Sequence, residues 1–355
     1  MKRIVFFAST VAFSVAVLLS SCSKDDTSSS GNGGGTTPTD ARSKAITDYK
    51  NNYLGSKVTA AELAYVNGNM GSCQAGSVSQ ISHNKVIQRI NYYRRLVGLP
   101  ASVAHNPAQN QSCQEAALYM AANNTLTHYP SASGSCYTAG AANAAGHGNI
   151  AISNGGDANT FSVHAANAVT GYMEDPGANN LVVGHRAWIL LPALTKMGHG
   201  SVYFASTNNR SANCLMWGDN FDQNFNYTSY VAYPPNGYIP APILFPRWSF
   251  SLADANFANA QVSMKDASNN VVNVNVIARE TNPGSLPENR IVWEPQNINF
   301  QPTADTKYTV TVSGITGAAQ TSYTYTVNVI GTSALPASKD AVEFPIPGTR
   351  NFLSK

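Results

Sequence analysis

The five cysteines are the residues of this 355-residue sequence whose chemistry depends most directly on spacing. Cys22 follows an apolar N-terminal stretch, whereas Cys73, Cys113, Cys136 and Cys214 are spread through the body of the chain. No C-x-x-C pair occurs, so the spacing does not favour a cysteine metal site. An even number of thiols in an oxidising compartment predicts two disulfides among the last four, and all three pairings stay open.

The N-terminus predicts the compartment. Lys2 and Arg3 form a basic head, residues 4–19 are almost wholly apolar, and residues 19–22 read Leu-Ser-Ser-Cys. This order is typical of a signal peptide, and the apolar stretch is shorter than the roughly 20 residues of a membrane span. The ending resembles the bacterial lipobox, which predicts removal of residues 1–21 and lipidation of Cys22. An ordinary secretory signal with an incidental cysteine is the alternative.

Two further segments favour the cell surface. Residues 23–26, Ser-Lys-Asp-Asp, resemble a short surface-export signal of bacterial lipoproteins. Residues 27–40 consist mainly of Ser, Gly, Thr and Pro, which is the composition of a flexible tether. We therefore expect an outer-membrane protein that is held by lipid at Cys22, faces the outside of the cell and has the membrane as one partner.

The charge content of the sequence limits the classes of ligand that the protein could bind. The formal charge is +3, and it would be +1 after removal of Lys2 and Arg3. With 12% charged residues and no basic stripe, the sequence argues against nucleic acid as a ligand. A hydrophobic content of 43% is enough for the cores of two domains.

Helical periodicity dominates the first part of the body. The spacing of Val86, Ile90 and Tyr93 predicts one helix, which should end at Gly98. Asn106-Pro107 predicts the start of a second helix, with the asparagine as N-cap. Two more helices are predicted at 160–173 and 183–190. Three short strands are predicted at 149–152, 200–205 and 213–217.

Alternation with a period of two replaces this pattern after a Pro-rich joint. Residues 272–276, 308–312 and 322–329 alternate Val or Tyr with Asn, Thr or Ser. Short alternating strands over about 90 residues predict an all-β, immunoglobulin-like sandwich. The predicted organisation is a signal peptide (1–21), tether (22–40), helical lead-in (41–79), first domain (80–232), joint (233–244), β-sandwich domain (245–333) and tail (334–355).

Several motifs of the first domain stand in a recognisable order. They are N-x-x-R at 91–94, L-x-H ending at His128, Asn-Ile-Ala at 149–151 and G-H-R-x-x-I-L at 184–190. In this order they resemble the CAP superfamily, the SCP-like cysteine-rich secretory, antigen 5 and pathogenesis-related 1 proteins, over about residues 80–220. The resemblance implies an α-β-α sandwich with a central cleft. The expected fold class is therefore α+β, a CAP sandwich followed by an all-β domain.

The resemblance also assigns cleft residues. Two histidines and two glutamates commonly line the family's cleft; His128 and His185 match the histidines, and Glu174 matches one acid. Gly148 stands where the other glutamate normally precedes Asn-Ile-Ala, so this sequence departs from the full tetrad. His147 beside it is a candidate replacement. We expect His128, Glu174 and His185 to converge, with an open space beside Gly148.

Two imidazoles and a carboxylate support several chemistries. They could hold Zn²⁺, with His128 and His185 as ligands and a fourth position for water. They could instead bind a polar ligand or transfer protons near neutral pH. The alternative is a buried hydrogen-bonded cluster that only fixes the cleft walls. His199, at the start of a strand, is expected to be exposed.

Three functions follow from these alternatives. The first is a binding module that holds a wall fragment, lipid, peptide or host molecule in the cleft. The second is a zinc-dependent hydrolase of an extracellular polymer, which would use metal-bound water. The third is a surface adhesion protein that acts through its β domain. Whether the protein is an enzyme stays open, and the sequence contains no G-x-S-x-G elbow that would favour a serine hydrolase.

Overall fold

A computed structural model describes residues 40–58, 60–154, 165–204, 207, 210–222, 224–281, 287–336 and 350–353. The signal peptide, Cys22 and the predicted tether up to residue 39 lie outside the described residues. The helices are α1 (Ala41–Asp48), α2 (Ala60–Leu63), α3 (Gln80–Leu96), α4 (Asn110–Asn123), α5 (Ala139–Gly146), α6 (Ala165–Glu174) and α7 (Gly184–Ile189).

The strands of the first part are β1 (Val66–Asn69), β2 (Gln74–Ser77), β3 (Ala104–His105), β4 (Gly148–Ser153), β5 (Lys196–Phe204) and β6 (Arg210–Met216). Those that follow are β7 (Val231–Tyr233), β8 (Gly237–Pro240), β9 (Trp248–Ser251), β10 (Gln261–Asp266), β11 (Val271–Val272), β12 (Val274–Glu280), β13 (Arg290–Pro295), β14 (Thr306–Ser313), β15 (Ser322–Ile330) and β16 (Arg350–Leu353).

The lead-in segment is helical in its first part, up to the end of α2 at Leu63. Asp40 caps α1 by accepting a hydrogen bond from the Ser43 amide at 2.8 Å, and helical turns continue to Ser56. Residues 66–77 then form the antiparallel hairpin β1–β2, so the expectation of a helical segment over the whole of 41–79 is wrong there. Gly76 has a φ of +67°, and a Cβ on it would lie 2.5 Å from the Val66 carbonyl oxygen, so this hairpin position requires glycine.

Helix α3 contains the predicted helical positions and ends before Gly98 as predicted, but it begins at Gln80, before the first position of the pattern. The Ser79 hydroxyl accepts from the Ser82 amide at its start, and Gly98, with a φ of +80°, follows its end. The second helix differs from expectation because residues 107–109 form a 3₁₀ turn and α4 begins at Asn110. The side chain of Asn106 is not a cap, since its Nδ2 donates to Asn220 Oδ1 at 3.1 Å.

A five-stranded sheet in the order β16–β4–β6–β5–β3 lies between two helical layers. Its Ile150 and Ile152 side chains pack in a cluster with residues of α4 and α5. Ala151 and Leu215 belong to a second cluster, with residues of α3 and α6. Because alternate strand residues face opposite sides, β4 contributes to both layers, which is the α-β-α arrangement expected for this part of the chain.

The C-terminal part is all β. One sheet has the order β11–β10–β14–β15–β8 and the other β12–β13–β9–β7. Strands β7 and β8 come from residues that precede the predicted start of the β domain at 245, so the sandwich begins earlier in the chain than its alternation indicated. The mixed α+β class with an all-β C-terminal region is confirmed.

The two parts share one apolar core. Tyr93 and Tyr172 of the first part and Trp248 and Trp293 of the sandwich belong to the same buried cluster. The described residues from Asp40 onward accordingly belong to one compact unit. The tail also returns to the first part, where β16 pairs with β4 at the sheet edge.

Candidate functional site

A buried carboxylate–imidazole pair lies at the start of α7. His185 Nδ1 and Asp175 Oδ1 are 2.7 Å apart, and both side chains have no exposed surface. Asp175 has a φ of +56°, a left-handed conformation that ends α6 and that aspartate adopts more readily than most residues. The other oxygen of this carboxylate accepts from the backbone N–H of Arg186 at 3.3 Å. One carboxylate thus holds both the imidazole and the first turn of α7.

The ring of His185 is also fixed by stacking. Its centroid lies 5.0 Å from that of Tyr172, with the planes 22° apart. The Tyr172 hydroxyl donates to Asn213 Oδ1 at 2.9 Å, and burial raises its pKa well above the ordinary value. Asn149 Nδ2 donates to the backbone carbonyl of His185 at 3.1 Å. The Asn-Ile-Ala and Gly-His-Arg motifs, which the sequence paired only by their order, are therefore in direct contact.

Arg186 connects this pair to the second domain. Its Nε and Nη2 donate to the carbonyl oxygens of Met173 and Glu174 at 2.7 and 3.3 Å. Its Nη1 donates to the Arg247 carbonyl at 2.9 Å and to the Ser249 hydroxyl at 3.1 Å. Burial lowers the pKa of this guanidinium to about 10, yet leaves it cationic at neutral pH. A buried charge with its donors satisfied by carbonyl oxygens is a structural anchor.

The second domain contacts the same loop in return. Arg247 Nη1 donates to the carbonyls of Asp175 and Asn180 at 2.6 and 3.0 Å. Arg290 Nε donates to the Val182 carbonyl at 2.6 Å. The backbone between α6 and α7 is therefore held by arginines of the sandwich, and the position of His185 depends on both parts of the chain.

His128 is placed by a different element. It follows α4, has 4% of its surface exposed, and its Nδ1 lies 2.6 Å from the Ala145 carbonyl of α5. Because a carbonyl only accepts, Nδ1 carries the proton of this hydrogen bond. Burial and hydrogen bonding at both His128 and His185 agree with the interpretation that they fix the cleft walls.

Glu174 and His147, the two other predicted cleft residues, are less buried than these histidines. Glu174 is half-buried at the end of α6, and the carboxylate that binds His185 belongs to the next residue, Asp175. The only sequence signal at Asp175 is that it begins an Asp-Pro-Gly stretch, which is typical of a helix end. His147 is exposed, and its Nδ1 donates to the Asn143 carbonyl at 3.0 Å within the same helical turn.

The expected open space beside Gly148 is not present. A Cβ on Gly148 would lie 2.7 Å from the Ala144 carbonyl oxygen and 3.2 Å from Cys214 Sγ. The glycine allows α5 to pack closely on β4 and β6. A glutamate at this position would have to displace backbone, so the expectation was wrong for steric reasons.

Zinc was one of the ligands that His128 and His185 could hold according to the sequence. Within the described ranges, no three His, Cys, Asp or Glu residues form a group that could hold a metal ion. The carboxylate that reaches His185 is hydrogen-bonded to that imidazole and to the start of α7. The residues thus do not fit a zinc site with three protein ligands.

The cysteines form one of the two expected bridges. Cys73 and Cys136 are joined as a disulfide, which links the β1–β2 hairpin to the loop before α5. Cys113 and Cys214 are buried thiols, so the second bridge is not formed. The hydrogen bond between these two thiols, together with burial, raises the pKa of Cys214 well above its ordinary value. Cys22, the predicted lipidation site, lies outside the described residues.

A second histidine group was not found from the sequence. His83 Nδ1 and His199 Nδ1 are 3.0 Å apart, and the ring of His105 stacks on His83 with centroids 4.5 Å apart. Asn110 bridges His105 Nε2 at 2.8 Å and His83 Nε2 at 3.3 Å. His199 is 1% exposed, so the expectation that it lies at the surface was wrong. Burial and the neighbouring His105 lower the pKa of His83 to about 4.

Hydrogen bonds connect this second group with the first. His199 Nε2 lies 3.0 Å from Ser201 Oγ, which accepts from Asn213 Nδ2 at 2.7 Å. Asn213 in turn accepts from Tyr172, whose ring stacks on His185. A continuous polar layer therefore runs across the helix α3/α6 side of the sheet. Its members are too far apart in sequence for any local pattern to indicate it.

A sheet between two helical layers, with the Asn-Ile-Ala strand in contact with the Gly-His-Arg helix, defines the class of the first domain. Residues 87–221 match the CAP family, described as the cysteine-rich secretory protein family. Residues 87–221 are therefore a CAP domain, and an all-β region follows it in the chain. No curated protein and no solved structure matches it. CAP domains are typical of secreted proteins, and none of the helices among the described residues is both long and apolar enough to cross a membrane.

Proposed function

We propose that this protein is a lipid-anchored surface protein whose CAP domain binds an extracellular ligand, and that it acts by binding rather than by hydrolysis. The observation that carries the proposal is the fully buried Asp175–His185 pair, held by backbone and side-chain contacts from both domains. A site whose walls are fixed before the ligand arrives loses little conformational entropy on binding. The ligand classes that remain open are a wall fragment, a lipid, a peptide and a host molecule.

Burial of the histidines favours binding over catalysis. A general base must come within hydrogen-bond distance of the proton that it removes. His185 has no exposed surface, and its Nδ1 is engaged with Asp175. His128 is almost fully buried and donates to the Ala145 carbonyl. These contacts suit two residues that hold elements in place.

The second domain supports the same site. Arg247 and Arg290 bind the loop between α6 and α7, and the sandwich shares a core with the helices. An adhesive β domain that acts alone would not need these contacts. We therefore assign the binding surface to the CAP domain and the supporting role to the sandwich.

A binding experiment on the mature chain tests the proposal. Residues 22–355 with Cys22→Ser would be mixed with purified cell-wall fragments, phospholipid vesicles and a peptide library, and both retention and released products would be measured. We expect retention on one class without product release. Asp175→Asn should weaken retention because it loosens His185, whereas Asp219→Asn, an exposed carboxylate of the same domain, should not. Product release that requires stoichiometric zinc would overturn the proposal in favour of a hydrolase.

The anchor has its own test. Cells that express the full chain would be labelled with a fatty acid carrying a detectable tag. Label is expected on the wild-type protein and absent from Cys22→Ser, and protease added to intact cells should degrade the lipidated protein if it faces outwards. Label that persists in Cys22→Ser would contradict the predicted lipobox.

A further inference from the structure

A groove runs along the exposed side of α4, away from the Asp175–His185 pair. It consists of two cavities of about 400 and 250 Å³, and Gln111 lines both of them. One wall is the β2 strand, which contributes Ala75 to the larger cavity and Gly76 to the smaller one. The floor is α4. The shared Gln111 and the common β2 wall indicate one elongated groove rather than two separate hollows.

The wall formed by the β1–β2 hairpin is held in place by a disulfide and by hydrogen bonds. The Cys73–Cys136 disulfide ties the hairpin to the loop that closes the larger cavity. Gln114 of α4 donates to the Ala75 carbonyl at 3.1 Å and to the Ser201 carbonyl at 2.6 Å, and its Oε1 accepts from the Ser201 amide at 2.8 Å. The hairpin is therefore held at both ends of the groove, so that the groove is formed before any ligand binds.

The lining is polar but nearly uncharged. Glu115 is its one charged side chain, and neither lysine nor arginine is among the described residues that line the two cavities. The Glu115 carboxylate already accepts from Gln111 Nε2 at 2.9 Å and from Thr138 Oγ1 at 2.5 Å. An anionic ligand would find no cation here, and a cationic ligand would have to compete with these two donors. The lining therefore favours a neutral ligand.

An aromatic ring stands at one end of the groove. Tyr137 lines the larger cavity and has 36% of its surface exposed. Its ring is held edge-to-face against Tyr119, with centroids 6.5 Å apart and planes at 78°. At the other end the smaller cavity is lined by His83 and Asn110, which are fixed in the histidine network. Oriented rings and amides suit a ligand with apolar C–H faces and many hydroxyl groups.

We propose that this groove is a binding site for a neutral oligosaccharide, which would lie along α4 between Tyr137 and His83. The inference rests on the proposed binding function but places this ligand outside the cleft of the Asp175–His185 pair. Sugar hydroxyls would bond to the amides of Gln111 and Asn110, and one sugar ring would pack on Tyr137. The elongated shape suits a chain of linked rings better than a single compact molecule.

An oligosaccharide array tests the proposal. The mature chain with Cys22→Ser would be applied to an array of neutral, sulfated and amino-sugar oligosaccharides, and the best binder would be titrated by calorimetry. We expect binding to neutral members. Tyr137→Ala should weaken it about fivefold to tenfold, because the contact of one aromatic ring is worth about 1 kcal/mol. Gln111→Ala should also weaken it.

The chain offers a matched control. Tyr129 is 74% exposed on the same loop region and is not part of the groove lining, so Tyr129→Ala should leave binding unchanged. Each variant would be checked for an unchanged unfolding transition. No binding, binding confined to charged sugars, or equal loss in Tyr129→Ala and Tyr137→Ala would overturn the groove. Neutral-sugar binding that is lost in Asp175→Asn and kept in Tyr137→Ala would overturn it too, while leaving the proposed function of the cleft intact.

Discussion

Acidification is expected to destabilise the protein through His83. The pKa of this ring is lowered from 6.5 to about 4, first by burial and then by the neighbouring His105. His83 therefore stays neutral in the folded protein at pH values where it is protonated in the unfolded chain. Between these two pKa values the unfolded state binds one more proton than the folded state, so acid favours unfolding. The contribution of His83 to stability is therefore fully present above pH 6.5 and is lost as the pH falls towards 4.

The magnitude follows from the two pKa values. Each pH unit in this window costs about 1.4 kcal/mol for one proton. The full interval would cost slightly more than 3 kcal/mol, and because the ring borders the open groove we reduce this to about 2 kcal/mol. The contacts of His83 explain the sign: His105, His199 and Asn110 surround the ring, and none of them is a carboxylate that could stabilise a cation.

Denaturant unfolding between pH 4 and 8 is the assay. Glu288 has the opposite linkage, since burial raises the pKa of its carboxyl from 4.5 to about 7, so the wild-type profile is the sum of two opposing slopes. The informative comparison is between the pH dependence of stability in the single variant Glu288→Gln and in the double variant that carries both Glu288→Gln and His83→Gln. The single variant should lose about 2 kcal/mol between pH 6.5 and 4 relative to the double variant.

An exposed histidine provides the control for this comparison. His147→Gln in the same Glu288→Gln background should keep the acid slope, because His147 lies outside the cluster. Equal acid slopes in the variants with and without His83 would refute the reasoning. A slope that disappears in His147→Gln would contradict the assignment to the buried cluster.

Three further changes have defined outcomes. Gly148→Ala should destabilise the protein by about 2 kcal/mol in denaturant unfolding, because the added Cβ would meet the Ala144 carbonyl. Gly55→Ala is the control, since a Cβ at Gly55 would make only ordinary contacts and should not destabilise. Equal effects of the two substitutions would contradict the close packing at Gly148. Cys73→Ser opens a bridge spanning 63 positions and should cost about 4 kcal/mol in thermal or denaturant unfolding, and an unchanged transition would show that the bridge is not formed. As the pH rises from 4.5 to 7, Glu288→Gln should become about 2 kcal/mol more stable relative to wild type in the same assay, and a difference from wild type that does not change with pH would show that Glu288 is not responsible.

The sequence predicted which segments form the site, but not which carboxylate binds His185. The motif order predicted that the Asn-Ile-Ala and Gly-His-Arg segments belong to one domain, and they are in contact through Asn149 and His185. It assigned Glu174 to the cleft, whereas the structure places Asp175 on His185. The two acids are adjacent, but the chain turns into a left-handed conformation at Asp175, and this turn redirects the side chain.

By itself the sequence determined most of the local elements and the family of the first domain. Helix α3, strand alternation in the sandwich and the CAP motifs depend on which face of an element is buried, and this is encoded every two to four residues. Tertiary structure alone decided which carboxylate meets His185, which cysteines pair, and that His83 meets His199 across 116 positions. Such contacts depend on how the helical layers pack on the sheet, and no periodicity along the chain records that packing.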